Sequence, residues 1–103
     1  MPDTTTEPTR PQLDEDGLLR NRGEWVAIPD AQLPVVALLV DRYDRLVPTE
    51  TLAAAYVEGG HSGNDASIRS LMCRVSRRVS AIGLRLRTVR GRGVVLTDAG
   101  SAR

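Results

Sequence analysis

One run of residues, Asn64 to Gly83, constrains this chain more than any other. Ile68, Leu71, Met72, Val75, Val79 and Ile82 recur at steps of three and four, the period of one face of an α-helix. At about 100° per residue, these six side chains fall within about 60° of one direction. The opposite side carries Ala66, Ser70, Cys73, Arg74, Arg77 and Ala81, a small, polar and cationic face without a carboxylate. The spacing predicts a helix over 65–82. Asp65 is the expected N-cap, at the positive end of the helix dipole, and Gly83 is the expected stop.

Beyond Gly83 the period changes to two. Leu84, Leu86 and Thr88 alternate with Arg85, Arg87 and Val89, the pattern of a half-buried strand. Arg90-Gly91-Arg92-Gly93 reads as a turn, since glycine supplies the positive φ that tight hairpins need. Val94 to Thr97 then returns as a second strand. The tip is too short for a nucleotide-binding phosphate loop. A helix beside an arginine-tipped hairpin suits a duplex polyanion.

Charge follows the same division. The formal net charge is only +1, yet residues 1–63 hold five arginines against eleven acids, a net of −6. Residues 64–103 hold nine arginines against two acids, a net of +7. That asymmetry marks a nucleic-acid face on an acidic body. The chain has no lysine. A GC-rich genome, which favours arginine codons, would explain the preference for arginine but not its clustering.

The remaining chain reads as support. Residues 1–12 are rich in Pro and Thr and read as a disordered tail, 13–98 as one domain, and 99–103 as a frayed end. Asn21-Arg22-Gly23 suggests a hairpin, with Trp25 packing at its edge. Residues 30–43 predict a first helix capped by Asp30, with Leu33, Val36, Ala37 and Val40 as its stripe and Leu39 beside it. Leu46-Val47 is a short extended piece, and Thr49 caps a second helix that ends at Gly59-Gly60. His61 is a solvated loop residue.

Several function classes are disfavoured. One cysteine and one histidine make a structural zinc site or an internal disulfide implausible. No carboxylate pair or second histidine supports catalysis, so the chain is expected not to be an enzyme and to need no cofactor. No apolar run approaches the ~20 residues of a membrane span and no signal peptide is evident. The expected location is cytoplasmic, associated with the nucleoid.

The order is hairpin, helix, short strand, helix, long helix, hairpin. With Ile28-Pro29-Asp30, Tyr43 to Val47, Asp65-Ala66-Ser67-Ile68, Arg74-Val75 and Arg87 to Gly93, it resembles the winged helix-turn-helix domain of bacterial OmpR/PhoB-type response regulators. The resemblance implies an α+β fold: a three-helix core, a small N-terminal β-hairpin and a C-terminal β-hairpin wing. It also implies a sequence-specific, double-stranded DNA-binding transcriptional regulator, with recognition helix 65–82 in the major groove and wing 90–92 in the minor groove. A stand-alone domain is expected, with no receiver domain before it.

Carried over by position, Arg74 is the main base-contacting residue of the helix and Ser67 meets phosphate. Thr88 and Arg90 serve the wing, while Arg69, Arg77 and Arg92 supply further phosphate contacts. Ser70 and Cys73 complete the DNA-facing surface. Cys73 is read as a small residue fitting against DNA, with a redox sensor as the alternative. The chain departs from the family at Ala66, Cys73 and Ser76, which lack a long cation, and at Val94, where an aromatic is usual. One module binds weakly, so a second copy, a partner regulator or an RNA polymerase subunit is the expected partner. The alternative function is a winged-helix interaction module that docks an acidic partner protein.

Overall fold

The computed structural model describes residues 10–99. Strands β1 (Gln12–Leu13), β2 (Leu18–Asn21) and β3 (Glu24–Ala27) come first, followed by helix α1 (Leu33–Asp41). Strand β4 (Leu46–Pro48), helix α2 (Thr49–Glu58), helix α3 (Asp65–Ser80) and strands β5 (Leu84–Val89) and β6 (Gly93–Asp98) complete the order. One antiparallel sheet runs β1-β2-β3 and the other β4-β6-β5. Three helices and two small sheets make an α+β fold consistent with a winged helix.

The N-terminal sheet is larger than the expected single hairpin. Gln12 and Leu13 pair with Arg20 and Leu19, which adds a third strand. Residues 1–9 lie outside the described part, but Arg10, Pro11 and Gln12, expected in the tail, belong to the fold. Pro11 is buried. The Arg10 guanidinium donates to the carbonyl oxygens of Val40 (3.1 Å) and Asp41 (3.2 Å). A cation there meets the last carbonyls of α1, of which that of Val40 also accepts from the Tyr43 amide (3.2 Å), and the negative end of its dipole. These partners lie about thirty positions away, beyond what local composition registers.

Hairpin β2–β3 turns at Arg22-Gly23, with φ of +54° and +84°. Two successive positive φ angles form the turn whose twist matches its strands. Trp25, expected to pack, is instead 59% exposed. It sits opposite Arg20 on the outer side of the sheet, while the neighbouring pair Leu19 and Val26 faces the core. At the other end, the Ala99 amide donates to the Gly83 carbonyl (3.0 Å), so order reaches one residue past the expected boundary. The rest of the expected frayed end, 100–103, lies outside the described residues.

The helix starts also differ from local expectation. α1 begins at Leu33, with Gln32 rather than Asp30 as N-cap and no side-chain cap bond. The Pro29 carbonyl accepts from the amides of Gln32 (2.9 Å) and Leu33 (3.2 Å), a turn that consumes residues 30–32. Pro34 then falls in the first turn, where its missing N–H matters least. Val35, Val36 and Leu39 are the buried residues of α1, and Ala37 is exposed. α1 packs on α2, β1 and β6, which selects a different stripe from hydropathy alone. Thr49 does not cap α2. It is the first helical residue, after an extended Pro48, and its amide donates to the Arg92 carbonyl (3.2 Å).

Two long-range contacts close the core around α3. Asn21 is 3% exposed, and its Nδ2 donates to the Ile82 carbonyl (2.8 Å), tying the first sheet to the turn that follows α3. At Gly93, β4 lies directly on β6. A Cβ there would stand 2.8 Å from the Val47 carbonyl carbon and 2.9 Å from the Pro48 Cα, so only glycine permits this pairing. Gly93→Ala should lower stability by about 1–3 kcal/mol through overpacking against rigid backbone. Asn21→Ala, which strands a buried carbonyl, should cost about 1–3 kcal/mol. Urea unfolding midpoints check both, and an unchanged midpoint for Gly93→Ala would contradict the close approach.

Candidate nucleic-acid interface

α3 is held by the stripe its spacing predicts. Ile68, Leu71, Val75 and Val79 are buried along it, with Met72 packed partly against the same core. Ile82 is buried too, but lies beyond the helix, which ends at Ser80 rather than at 82. The last turn is capped at Ala81, and Gly83 takes φ +84° as the chain leaves for β5. At the other end Asn64, not Asp65, is the N-cap. Its backbone is extended (φ −72°, ψ 164°) and its Oδ1 accepts from the Ser67 amide at 2.8 Å. Asp65 already has helical backbone, so its carboxylate only favours the positive dipole end.

With that stripe inward, the opposite face is committed outward. Arg69, Ser70, Cys73, Arg74 and Arg77 are all exposed, and together with Ala66 they line one shallow hollow. Ser67 is half-buried and lines a neighbouring depression with Ser70, Arg74 and Tyr56. Tyr56 comes from α2, and its place beside α3 has no local signal in the sequence. Its ring also stacks on His61 (centroids 4.5 Å apart, 14° between planes), which pins the loop leading to α3.

The wing approaches α3 from one side. Thr88 is exposed and shares a cleft with Thr49, Asp65, Arg69 and Met72. Arg69 therefore lines both the α3 hollow and the wing cleft. Arg90 and Arg92 stand exposed at the hairpin tip, where Gly91 takes φ +74° and the Arg92 amide donates to the Val89 carbonyl (2.9 Å). Among the described residues, the structure thus joins Thr88 to the helix and sets the two tip arginines beyond it.

Two apparent departures from the family pattern acquire a reason. Val94 is 4% exposed and serves the core. Ser76 is half-buried and is not among the residues lining the outward hollow.

The electrostatics are one-sided. Among the described residues, the ion pairs are Arg20 with Asp14 (2.9 Å) and Arg22 with Asp98, both away from α3 and the wing tip. Arg78, the inner member of the cluster, donates to the Ala27 carbonyl (3.2 Å) and braces α3 against β3. Arg69, Arg74, Arg77, Arg90 and Arg92 have no carboxylate partner among the described residues. Such a group of like charges is unfavourable by itself and attracts a polyanion. Among those residues there is also no group of three or more His, Cys, Asp or Glu placed to hold a metal. Among the described residues no helix is long and apolar enough to cross a membrane.

A solved structure matches this arrangement: the C-terminal domain of the nisin resistance regulator NsrR, a lantibiotic response regulator. It is 26% identical, superimposes with a TM-score of 0.69, and the match covers 85% of this chain and 92% of that one. The chain shares the fold of that response-regulator domain, in line with the resemblance to OmpR/PhoB-type winged helices. No protein-family model matches the sequence, and no curated protein matches it significantly. In this winged helix the cap fixes where α3 begins and hence which residues open its outward face. Asn64→Ala should cost about 1 kcal/mol, and Asp65→Ala only a few tenths. Thermal unfolding of the two variants checks this, and a larger loss for Asp65→Ala would return the cap to that residue.

Proposed function

We propose that this chain is a sequence-specific, double-stranded DNA-binding transcription regulator. The observation that carries the reading is the exposed α3 face, where Arg69, Arg74 and Arg77 surround Ala66, Ser70 and Cys73 with no carboxylate partner among the described residues. α3 lies in the major groove, where guanidinium groups meet base edges and short side chains permit close approach. Ser67 contacts phosphate near the helix start, and Thr88, Arg90 and Arg92 carry the wing into the adjacent minor groove. The likeness to a response regulator's C-terminal domain supports the same role. The role is one of binding and not of catalysis, performed in the cytoplasm at the nucleoid.

A single such module binds weakly, so the working form pairs with a second copy, a partner regulator or an RNA polymerase subunit. Four to six phosphate contacts give a log–log salt slope of about −4 to −5. Fluorescence anisotropy on genomic duplexes should show that slope, and Arg74→Glu should abolish site preference. No binding at low salt would refute the proposal. Retention of one acidic protein partner after nuclease treatment would then favour a protein-docking role for the same arginines.

A further inference from the structure

The outward face of α3 has an unusually narrow chemistry. Ala66, Ser70, Cys73, Arg74 and Arg77 line it, with Arg69 at its border, and none of these is Asn, Gln, Asp or Glu. Bidentate pairing with adenine takes an amide side chain, and accepting from cytosine N4 takes a carboxylate. Neither type is present. What remains is two long donors and several short side chains. Donor-only forks match the base edge that presents two acceptors, guanine O6 and N7.

Position along the helix separates the arginines. Arg74 and Arg77 lie about 60° apart around the axis, on either side of the line through Ser70. Their Cα atoms are displaced by about 4.5 Å along the axis, close to the ~3.4 Å rise of one base pair. Arg69 points about 140° away from Arg74, toward the wing side, where it also lines the Thr88 cleft. That direction suits a phosphate. The short residues Ala66 and Ser70 fall in the first half of the helix and Cys73 just past its middle, and Arg74 and Arg77 follow. α3 can therefore sit deep at its N-terminal end while Arg74 and Arg77 span the wider gap behind it.

We infer that α3 reads two adjacent G·C base pairs, one guanine through Arg74 and the other through Arg77. Arg69 acts on the backbone without selecting sequence. This rests on the DNA-binding reading above and names the sequence class that such a site takes.

Selection of the full chain against a library of randomised duplexes tests it. The enriched sites should share two neighbouring G·C pairs. Arg74→Ala and Arg77→Ala should each relax preference at one of those pairs by roughly tenfold or more. Arg69→Ala should weaken binding equally on all sequences. Replacing one guanine at a time by 7-deazaguanine, which lacks the N7 acceptor, should weaken the parent chain while leaving the matching alanine variant unaffected. All three arginines are exposed, and circular dichroism confirms that each variant is folded. If the two positions tolerate A·T pairs, or if Arg74→Ala and Arg77→Ala lower affinity uniformly with preference intact, the inference fails while DNA binding stands. Absence of binding to any duplex at low salt overturns both.

Discussion

The way α3 is seated governs everything the molecule presents outward. Ile68, Leu71, Val75 and Val79 are each at most 7% exposed. Burying four such side chains contributes on the order of 6–12 kcal/mol before conformational entropy is set against it. The same stripe sets the rotation of the helix about its own axis. Turning α3 by about 100° would press Arg69 or Arg78 into the core, and an unpaired guanidinium buried there is far costlier than the apolar contact it replaces. The outward face is therefore a consequence of the inward one.

The arginines, all one residue type, do two kinds of work. Arg10 and Arg78 donate to backbone carbonyls of other elements, and Arg20 and Arg22 pair with carboxylates. These hold the N-terminal sheet and α1 around the core. Arg69, Arg74, Arg77, Arg90 and Arg92 are exposed and make no such pair among the described residues. Mutual repulsion among them is tolerated because the body beneath is well packed. A local rule broken without internal compensation is what a binding surface looks like.

Much of the site was legible because helical periodicity needs only neighbours a few positions apart. The buried face of α3, the change of period at Gly83 and the wing turn around Gly91 all have local signals, and the structure keeps them. Signals fail where the partner is remote. Gln12 becomes a strand because Arg20 and its neighbours offer an edge, and Asp30 loses the cap because the Pro29 carbonyl closes a turn first. Asn64 takes the α3 cap from Asp65 because it alone is still extended, a backbone property that residue type does not reveal. Trp25 turns outward because strand register, not hydrophobicity, assigns it to the outer side.

By itself, the sequence determined which side of α3 is apolar, which side is cationic, and that a glycine-flanked basic hairpin follows. Those properties depend on spacing along one chain segment, and the physics of a helix or strand acts at that range. Only the tertiary structure decided that β4 lies on β6 across Gly93, that the N-terminal sheet has three strands, and that Thr88 and Tyr56 border the arginine face. Each depends on contacts between elements far apart in the chain. Close packing fixes such contacts through the shape of the whole core, and no short window of sequence contains it.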